Sequence, residues 1–308
     1  HMTMNAKAVK QINAAYRLAL TGTPIENSLS ELWSIFDYLM PGYLYSYTRF
    51  RKQFEMPIMK NEDAAARNRL RKMTAPFLLR RSKSQVLSDL PEKDEKTIYS
   101  GMEDEQRKLY LAAHKQLVDQ LQGIDSAYYE KNKIFILSQL TKLRQICCHP
   151  ALCYDDYQGS SAKLEACMEL VQRAVKGKHK VLLFSQFTSM LDLIRERLAE
   201  QNTKYYCLTG NTDKQERQRL VDEFQNDDTP VFLISLKAGG TGLNLTAADI
   251  VIHYDPWWNV AAQNQATDRA HRIGQKNTVT VYRLIAKDSL EEGIIKLQES
   301  KKALSDDI

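Results

Sequence analysis

The chain has 308 residues, 43% of them hydrophobic, so it is long enough to bury one large core or two modest ones. Lysine and arginine number 43 against 38 aspartates and glutamates, and the net charge of +5 permits a polyanionic partner without requiring one. No apolar run approaches the roughly 20 residues that cross a bilayer, no signal peptide opens the chain, and the 5 cysteines are an odd number. We therefore expect a soluble, intracellular protein without a disulfide framework.

The first predicted elements are a short polar helix over residues 5–17 and a strand over Tyr16–Leu20. The turn Thr21-Gly-Thr-Pro24 follows, and its proline suits the start of the next helix. We interpret His1-Met2 as a cloning remnant and expect the true amino terminus to lie upstream.

A mainly helical region comes next. Apolar residues recur at the helical period over Leu29–Met40, and further helices are predicted over 106–121 and 133–147. The polar segment 154–162 predicts a loop.

Charge and cysteine patterns mark two places in this region. Between Ala64 and Ser88 there are seven basic residues and no acidic one, which fits a solvated helix face as well as a nucleic-acid contact. Four possible metal ligands lie close together, but no second pair of ligands has the spacing of a zinc finger, so we expect no metal site. These four are Cys147, Cys148, His149 and Cys153.

After residue 162, helices and apolar strands alternate. This pattern is typical of a doubly wound parallel sheet with right-handed crossovers. We predict an α/β fold in which helices flank a parallel sheet and a mainly helical insertion region precedes it. The predicted strands are 180–184, 204–208, 231–235, 250–254 and 279–285, and the predicted helices are 163–176, 190–200, 213–226, 259–271 and one from Leu290 with a capping box of Ser289 and Glu292.

A glycine-rich loop follows the third of these strands. Gly239, Gly240 and Gly242 let backbone N–H groups approach an anionic oxygen, and Lys237 and Thr241 add a charge and a hydroxyl. Because ligands of such sheets bind beyond the carboxyl ends of the strands, this loop suits phosphate.

A pair of arginines lies near the end of the helix predicted over 259–271. Arg269 and Arg272 are three positions apart, so they share a helix face and can offer two planar guanidinium groups to one multiply charged target. Taken alone, an arginine pair is as often a solvated face, and a glycine-rich turn is as often only a turn.

The order and spacing of these motifs resemble Swi/Snf-type DNA-dependent ATPases, within helicase superfamily two. Leu20–Asn27 resembles motif III of that family and Leu236–Leu245 resembles motif V. Ala248–Asn259 is similar to the following strand and Trp-Trp-Asn segment, and Gln265–Gln275 to motif VI with its arginine fingers.

The resemblance covers nearly the whole chain and implies four regions. Residues 1–27 would be a remnant of a first RecA-like lobe, 28–90 a helical protrusion with the inter-lobe linker, 91–162 a second helical protrusion, and 163–308 the second RecA-like lobe. Details resemble prokaryotic members, which implies the cytoplasm or nucleoid. Val260 departs from the family, where a proline commonly follows Trp-Trp-Asn.

In that family ATP and Mg²⁺ lie between two lobes. The resemblance implies that Arg269, Arg272 and Gln265 are catalytic and that the two arginines reach the γ-phosphate. No Gly-x-x-x-x-Gly-Lys-Ser/Thr occurs here, and the acidic pair Asp222-Glu223 falls in a predicted helix. The groups that hold triphosphate and Mg²⁺ are therefore missing. We expect a part of a longer ATP hydrolase that, alone, is inactive and binds neither cofactor.

The resemblance also implies double-stranded DNA as a partner, held through its backbone without reading sequence. Other implied partners are the missing first lobe and a nucleoprotein or polymerase target. Thr21, Gly22 and Thr23 would couple nucleotide to DNA. Trp257 and Trp258 would brace the DNA strand or pack under the loop. The implied DNA-binding residues are Ser185, Gln186, Gly210, Thr212, Lys237, Gly239, Gly240, Thr241, Trp257 and Trp258.

Two other functions remain open. The chain could be a non-catalytic nucleic-acid-binding or docking module, which the missing phosphate loop favours, or its helical region 28–150 could be a protein-interaction scaffold. The arginine pair and motif III favour the enzyme, and salt-dependent DNA binding separates the second function from the third. If the strand at Tyr16–Leu20 has lost its sheet, residues 1–40 should be loosely held or packed against another molecule.

Overall fold

The chain forms two compact units in a computed structural model. The first comprises residues 1–86, 259–261 and 297–308, and the second comprises 87–258 and 262–296. The structure describes residues 3–21, 25, 28–79, 81, 85, 87, 89–122, 126–236, 238 and 243–306, with the backbone alone for 126–131 and 301–306. Within these ranges no helix has the length and apolar character needed to cross a membrane.

The first unit is helical in its described part. Asp63 caps one of its helices by accepting hydrogen bonds from Ala65 N and Ala66 N at 2.9 and 3.0 Å. Apolar and aromatic side chains fill its core, among them Leu32, Phe36, Phe50, Phe54 and Leu70. Its elements are α1 (Met4–Lys10), α2 (Leu29–Leu39), α3 (Tyr47–Phe50), a π-helical turn (Arg51–Glu55), α4 (Met56–Asn61), α5 (Ala64–Thr74) and a 3₁₀ turn (Ala75–Phe77).

The strand predicted over Tyr16–Leu20 is wrong, because this segment is irregular. Tyr16 is 93% exposed, and the described part of this unit contains no strand with which its backbone could pair. Arg17 instead donates to the carbonyl of Tyr38 at 2.7 Å, which fastens the segment to α2. The helix predicted over 5–17 also ends early, at Lys10.

The described part of the second unit carries a parallel sheet, as predicted, with six strands where five were predicted. The strands are β1 (Lys93–Ser100), β2 (Val181–Ser185), β3 (Tyr205–Leu208), β4 (Val231–Ser235), β5 (Ile250–His253) and β6 (Val279–Ala286). Their order across the sheet is β1-β6-β5-β2-β4-β3. The helices are α6 (Asp104–Leu121), α7 (Ser126–Cys148), α8 (Ala162–Lys176), α9 (Thr188–Glu200), α10 (Lys214–Asn226), α11 (Val260–Thr267) and α12 (Leu290–Asp306), with a 3₁₀ turn at Pro150–Leu152.

Helices cover both faces of this sheet. On one face, α10 and α11 pack on alternate strand residues such as Phe184 and Phe232. On the other, α8 and α9 pack on the intervening residues such as Leu183 and Leu233. Strands β2 and β4 are buried on both faces and are therefore apolar up to their last residue, a serine, which is the pattern that predicted them.

The first strand, β1, was not predicted. Lys93 pairs with Val279 and Ser100 with Ala286, so β1 extends the sheet at its β6 edge. After β1 the chain leaves the sheet for α6 and α7, whose own apolar cluster includes Tyr110, Leu117 and Leu143. The division at residues 27, 90 and 162 stays a prediction.

Candidate nucleotide and nucleic-acid site

The neighbouring strands β2, β4 and β5 end at one edge of the sheet, and Ser185, Gln186, Trp257 and Trp258 lie at or just after the ends of β2 and β5. The glycine-rich loop begins there: Leu236 N donates to the Ser185 carbonyl at 2.9 Å, and Ala238 N donates to the Ser235 carbonyl at 2.9 Å. Lys237, Gly239, Gly240 and Thr241 themselves lie outside the described residues. The same holds for Gly22 and Thr23 of the coupling motif, whereas Thr21 is exposed in the first unit.

The arginine segment is not helical, which corrects the expected helix over 259–271. Helix α11 ends at Thr267, whose hydroxyl lies 2.8 Å from Nε2 of the buried His253, and the chain continues in turns. Arg269 and Arg272 therefore do not share a helix face. They lie in consecutive turns, with Arg269 half-buried and Arg272 exposed.

Electrostatics still connect the two arginines. Burial lowers the pKa of Arg269, the positive charge of Arg272 lowers it further, and Asp268 opposes both. The Leu245 N–H donates to the Arg269 carbonyl at 3.0 Å, which fixes the arginine segment beside the end of the glycine-rich loop. Two like charges kept near each other beside such a loop favour an anion at this edge.

Gln275 holds the far end of the arginine segment. Its buried Nε2 lies 3.1 Å from the Thr246 carbonyl, 2.8 Å from that of Ala248 and 3.1 Å from that of Ala270. Its Oε1 accepts from the backbone N–H groups of the next two residues. One side-chain amide thereby joins the arginine segment to Thr246 and Ala248, which precede β5.

The two tryptophans have different surroundings. Trp257 is partly buried against the core of the sheet, and its backbone N–H donates to Oε1 of the buried Gln263 at 3.2 Å. Trp258 is 37% exposed, and the guanidinium of Arg144 lies 5.3 Å from its ring centre. Trp257 thus packs under the site, and only Trp258 presents a substantial surface to a ligand.

Ser185 is buried beneath this edge, which corrects its assignment as a DNA contact. It has 0% exposure, and its hydroxyl donates to Asp255 Oδ1 at 2.6 Å while accepting from Phe187 N at 3.1 Å. A side chain without exposed surface cannot touch a DNA backbone. Gln186, whose backbone N–H points at the same carboxylate, is partly exposed, and its DNA contact stays a prediction.

A groove of about 840 Å³ runs beside the neighbouring loop. Thr212, Lys214 and Arg217 line it together with residues that follow the glycine-rich loop. Thr212 Oγ1 accepts from Thr209 N at 3.1 Å and so shapes the turn in which Gly210 is exposed. Lys214 and Arg217 give the groove positive charge, which Asp222 partly offsets, and a groove with net positive charge can follow a phosphate backbone.

The remaining predicted residues have simpler positions. Gln265 is exposed on α11, and its catalytic role stays a prediction. Cys147 is buried, and burial raises its pKa to about 12. Nδ1 of His149 accepts from Ala151 N at 3.2 Å. Throughout the part of the chain that the structure describes, no three His, Cys, Asp or Glu side chains group as a metal site requires.

Two family models and several solved structures are similar to this chain. The SNF2-related domain model matches residues 1–152, and the helicase conserved C-terminal domain model matches residues 162–274. A solved SWI2/SNF2 ATPase C-terminal domain of Sulfolobus solfataricus is 35% identical, with a TM-score of 0.59, over 70% of this chain and 90% of that one.

The chain belongs to the SWI2/SNF2 family.

Longer relatives show how much of a SWI2/SNF2 protein is present here. The SWI2/SNF2 ATPase core of Sulfolobus solfataricus, solved in complex with double-stranded DNA, is 40% identical with a TM-score of 0.61, over 99% of this chain and 65% of that one. An uncharacterized ATP-dependent helicase of Mycoplasma pneumoniae is 41% identical over 302 residues, 97% of this chain. The chain spans 28% of that relative's length.

Several residues of this SWI2/SNF2 site were not singled out from the sequence. Asp255, Gln263, Gln275 and Arg144 are all buried polar groups, and each fastens a site segment through hydrogen bonds. Nothing in their local sequence marks them, because a buried polar residue is recognisable only when its partners in the fold are known.

Proposed function

We propose that this chain is the DNA-engaging and arginine-supplying part of an ATP-dependent translocase on double-stranded DNA. The observation that carries the proposal is the placement of Arg269 and Arg272 beside the end of the glycine-rich loop, at the carboxyl edge of a SWI2/SNF2 sheet. A module that only bound nucleic acid would have no need of guanidinium groups aimed at the phosphate of another lobe.

The fit to ATP is partial. The two arginines suit the charge of a γ-phosphate, but the sequence has no phosphate loop of the Gly-x-x-x-x-Gly-Lys-Ser/Thr type. A lobe with such a loop must hold the nucleotide and Mg²⁺, and the arginines would then stabilise charge that develops on the transferred phosphoryl group. The chain alone should hydrolyse no ATP.

The DNA surface that we propose comprises Gln186, Gly210, Thr212, Trp258 and the glycine-rich loop. The groove lined by Lys214 and Arg217 supplies positive charge next to it. Such contacts bind phosphates and do not distinguish sequences. Opening and closing of the cleft between two lobes would convert this grip into steps along the duplex.

The test is ATP hydrolysis with and without duplex DNA, first for this chain alone and then for this chain mixed with or joined to an amino-terminal SWI2/SNF2 lobe that has a phosphate loop. We expect DNA-stimulated hydrolysis only in the second case. Arg272→Ala should lower that rate by about 10³-fold or more, and Arg272→Lys nearly as much because the planar fork is lost. Arg173→Ala, on an exposed helix face, is the matched control.

A rate that survives Arg272→Ala would contradict the proposed role of the arginine. The absence of hydrolysis in every mixture, together with intact salt-sensitive DNA binding, would favour the non-catalytic nucleic-acid-binding module. The sequence feature that supports this non-catalytic function is the lack of a phosphate loop in the given sequence.

A further inference from the structure

One buried ion pair, Arg144 with Asp255, contacts two segments of the proposed DNA surface. These are the Gln186 turn, which follows β2, and the Trp258 turn, which follows β5. Arg144 comes from α7, and Asp255 lies between β5 and the tryptophans. We infer that Arg144 is a positioning residue for DNA binding, which acts through the carbonyl before the tryptophans, the ring of Trp258 and the carboxylate of Asp255. The inference rests on the proposed DNA-binding function.

The contacts of Arg144 are all directed at these turns. Its side chain is 5% exposed, and its Nη2 donates to the Pro256 carbonyl at 2.6 Å and lies 4.0 Å from Asp255 Oδ2. The guanidinium carbon is 5.3 Å from the ring centre of Trp258 and 5.8 Å from that of Phe187. A planar cation within 6 Å of two aromatic ring centres attracts both rings and so favours their present positions.

Asp255 extends the connection to the Gln186 turn. Its carboxylate accepts from the Ser185 hydroxyl at 2.6 Å and lies 3.3 Å from Gln186 N. Burial raises the pKa of Asp255, and the Ser185 hydrogen bond and the charge of Arg144 oppose that rise, so the carboxylate depends on these partners. Replacing Arg144 therefore affects both turns at once.

A second buried pair in the same unit offers a contrast. Lys163 Nζ and Glu291 Oε2 lie 2.5 Å apart, and both side chains are at most 2% exposed. Glu291 Oε2 also accepts a hydrogen bond from Ala286 N. The contacts of this pair do not include Gln186 or Trp258 in the described structure, although the charge of Lys163 also lowers the pKa of Asp255, less than the charge of Arg144 does. A variant that neutralises it tests whether any loss of buried charge weakens DNA binding.

The experiment compares Arg144→Met, Arg144→Lys and the control Lys163→Met/Glu291→Gln, all in this chain. Duplex DNA affinity is measured by fluorescence anisotropy over a series of salt concentrations, and tryptophan emission is recorded without DNA. For Arg144→Met we expect affinity about tenfold weaker, with changed tryptophan emission, because the turns no longer present their donors. The slope of log affinity against log salt should stay within about one phosphate contact of the original.

Each other outcome has a defined meaning. Unchanged affinity for a folded Arg144→Met chain overturns the inference, as does an equal loss in the control. A slope smaller by about one or more overturns it too, because Arg144 would then itself contact a phosphate. If Arg144→Met does not fold, Arg144→Lys decides: it keeps the charge but lacks the fork, and we expect weakened binding and altered emission. If the unmodified chain binds no duplex DNA, the proposed function fails first, and this inference fails with it.

Discussion

Gln275 anchors the arginine segment with a single buried amide. Because its Nε2 serves three carbonyl groups, Gln275→Ala leaves acceptors without a donor, and we expect the free energy of unfolding to fall by about 1 to 3 kcal/mol. Urea unfolding measures the loss. Gln116→Ala, on the exposed side of α6, should change stability by only a few tenths of a kcal/mol. Equal effects of the two substitutions would show that the amide does not anchor the segment.

His253 makes stability depend on pH. Burial lowers its pKa from 6.5 to about 3, so below pH 6.5 the unfolded chain binds the proton more readily than the folded one. The contribution of neutral His253 to the free energy of unfolding is therefore fully present above pH 6.5. It declines as the pH falls towards 3, by at most about 1.4 kcal/mol per pH unit.

The check on His253 is chemical denaturation between about pH 7 and pH 4, with His253→Asn as the comparison. We expect the substituted chain to lose less stability per pH unit than the original. Parallel pH profiles would mean that His253 is already able to accept a proton in the folded state.

Some features of the candidate site can be read from the sequence, and others depend on contacts between distant parts of the chain. Arg269 and Arg272 are recognisable from the sequence because charge type and spacing are local properties. Their turn geometry is not, because α11 stops at Thr267, whose hydroxyl meets His253 on a different element. Ser185 was assigned to the surface for the same reason, since the partner that buries it, Asp255, is 70 positions away.

At the scale of elements, the Lys163–Glu291 pair joins the first turn of α8 to that of α12. Removing one partner leaves a buried charge alone, so Lys163→Met should lower the free energy of unfolding by about 3 to 5 kcal/mol. In Lys163→Met/Glu291→Gln no charge remains, and we expect part of that stability to return. Urea unfolding of the two variants and the original chain measures this. A double variant less stable than the single one would contradict it.

A strand is easiest to predict from the sequence when both of its faces are buried, because it is then an apolar run. The segments β2 and β4 are buried at every position and apolar except for the serine at the end of each, and they were predicted within one residue of their ends. The segment that forms β1 begins Lys-Asp-Glu-Lys and is exposed over most of its length, so only its pairing with β6 defines it as a strand. Conversely, Tyr16–Leu20 has the composition of a strand and no neighbour to pair with among the described residues of its unit.

For the whole molecule, DNA binding should be visible as stability. A ligand that binds only the folded state at 100 times its Kd adds about 2.7 kcal/mol, which for the sheet-bearing unit corresponds to a rise in Tm of roughly 5 to 10 °C. We expect this rise with duplex DNA in calorimetry at low salt and its loss when salt is raised several-fold. A rise that persists at high salt would argue against phosphate contacts as the main source of affinity.

The position of β1 at the sheet edge has a consequence during synthesis. Glu95 of β1 pairs with Arg283 of β6, 188 positions later in the chain. At about 5 to 20 residues per second a ribosome needs roughly 10 to 40 s to cover that distance, and β1 waits through this time without its neighbour. The charges of Lys93, Asp94, Glu95 and Lys96 discourage pairing between the unfinished strands of adjacent nascent chains. The charged residues that made β1 hard to predict from the sequence thus protect it from aggregation until β6 is synthesised.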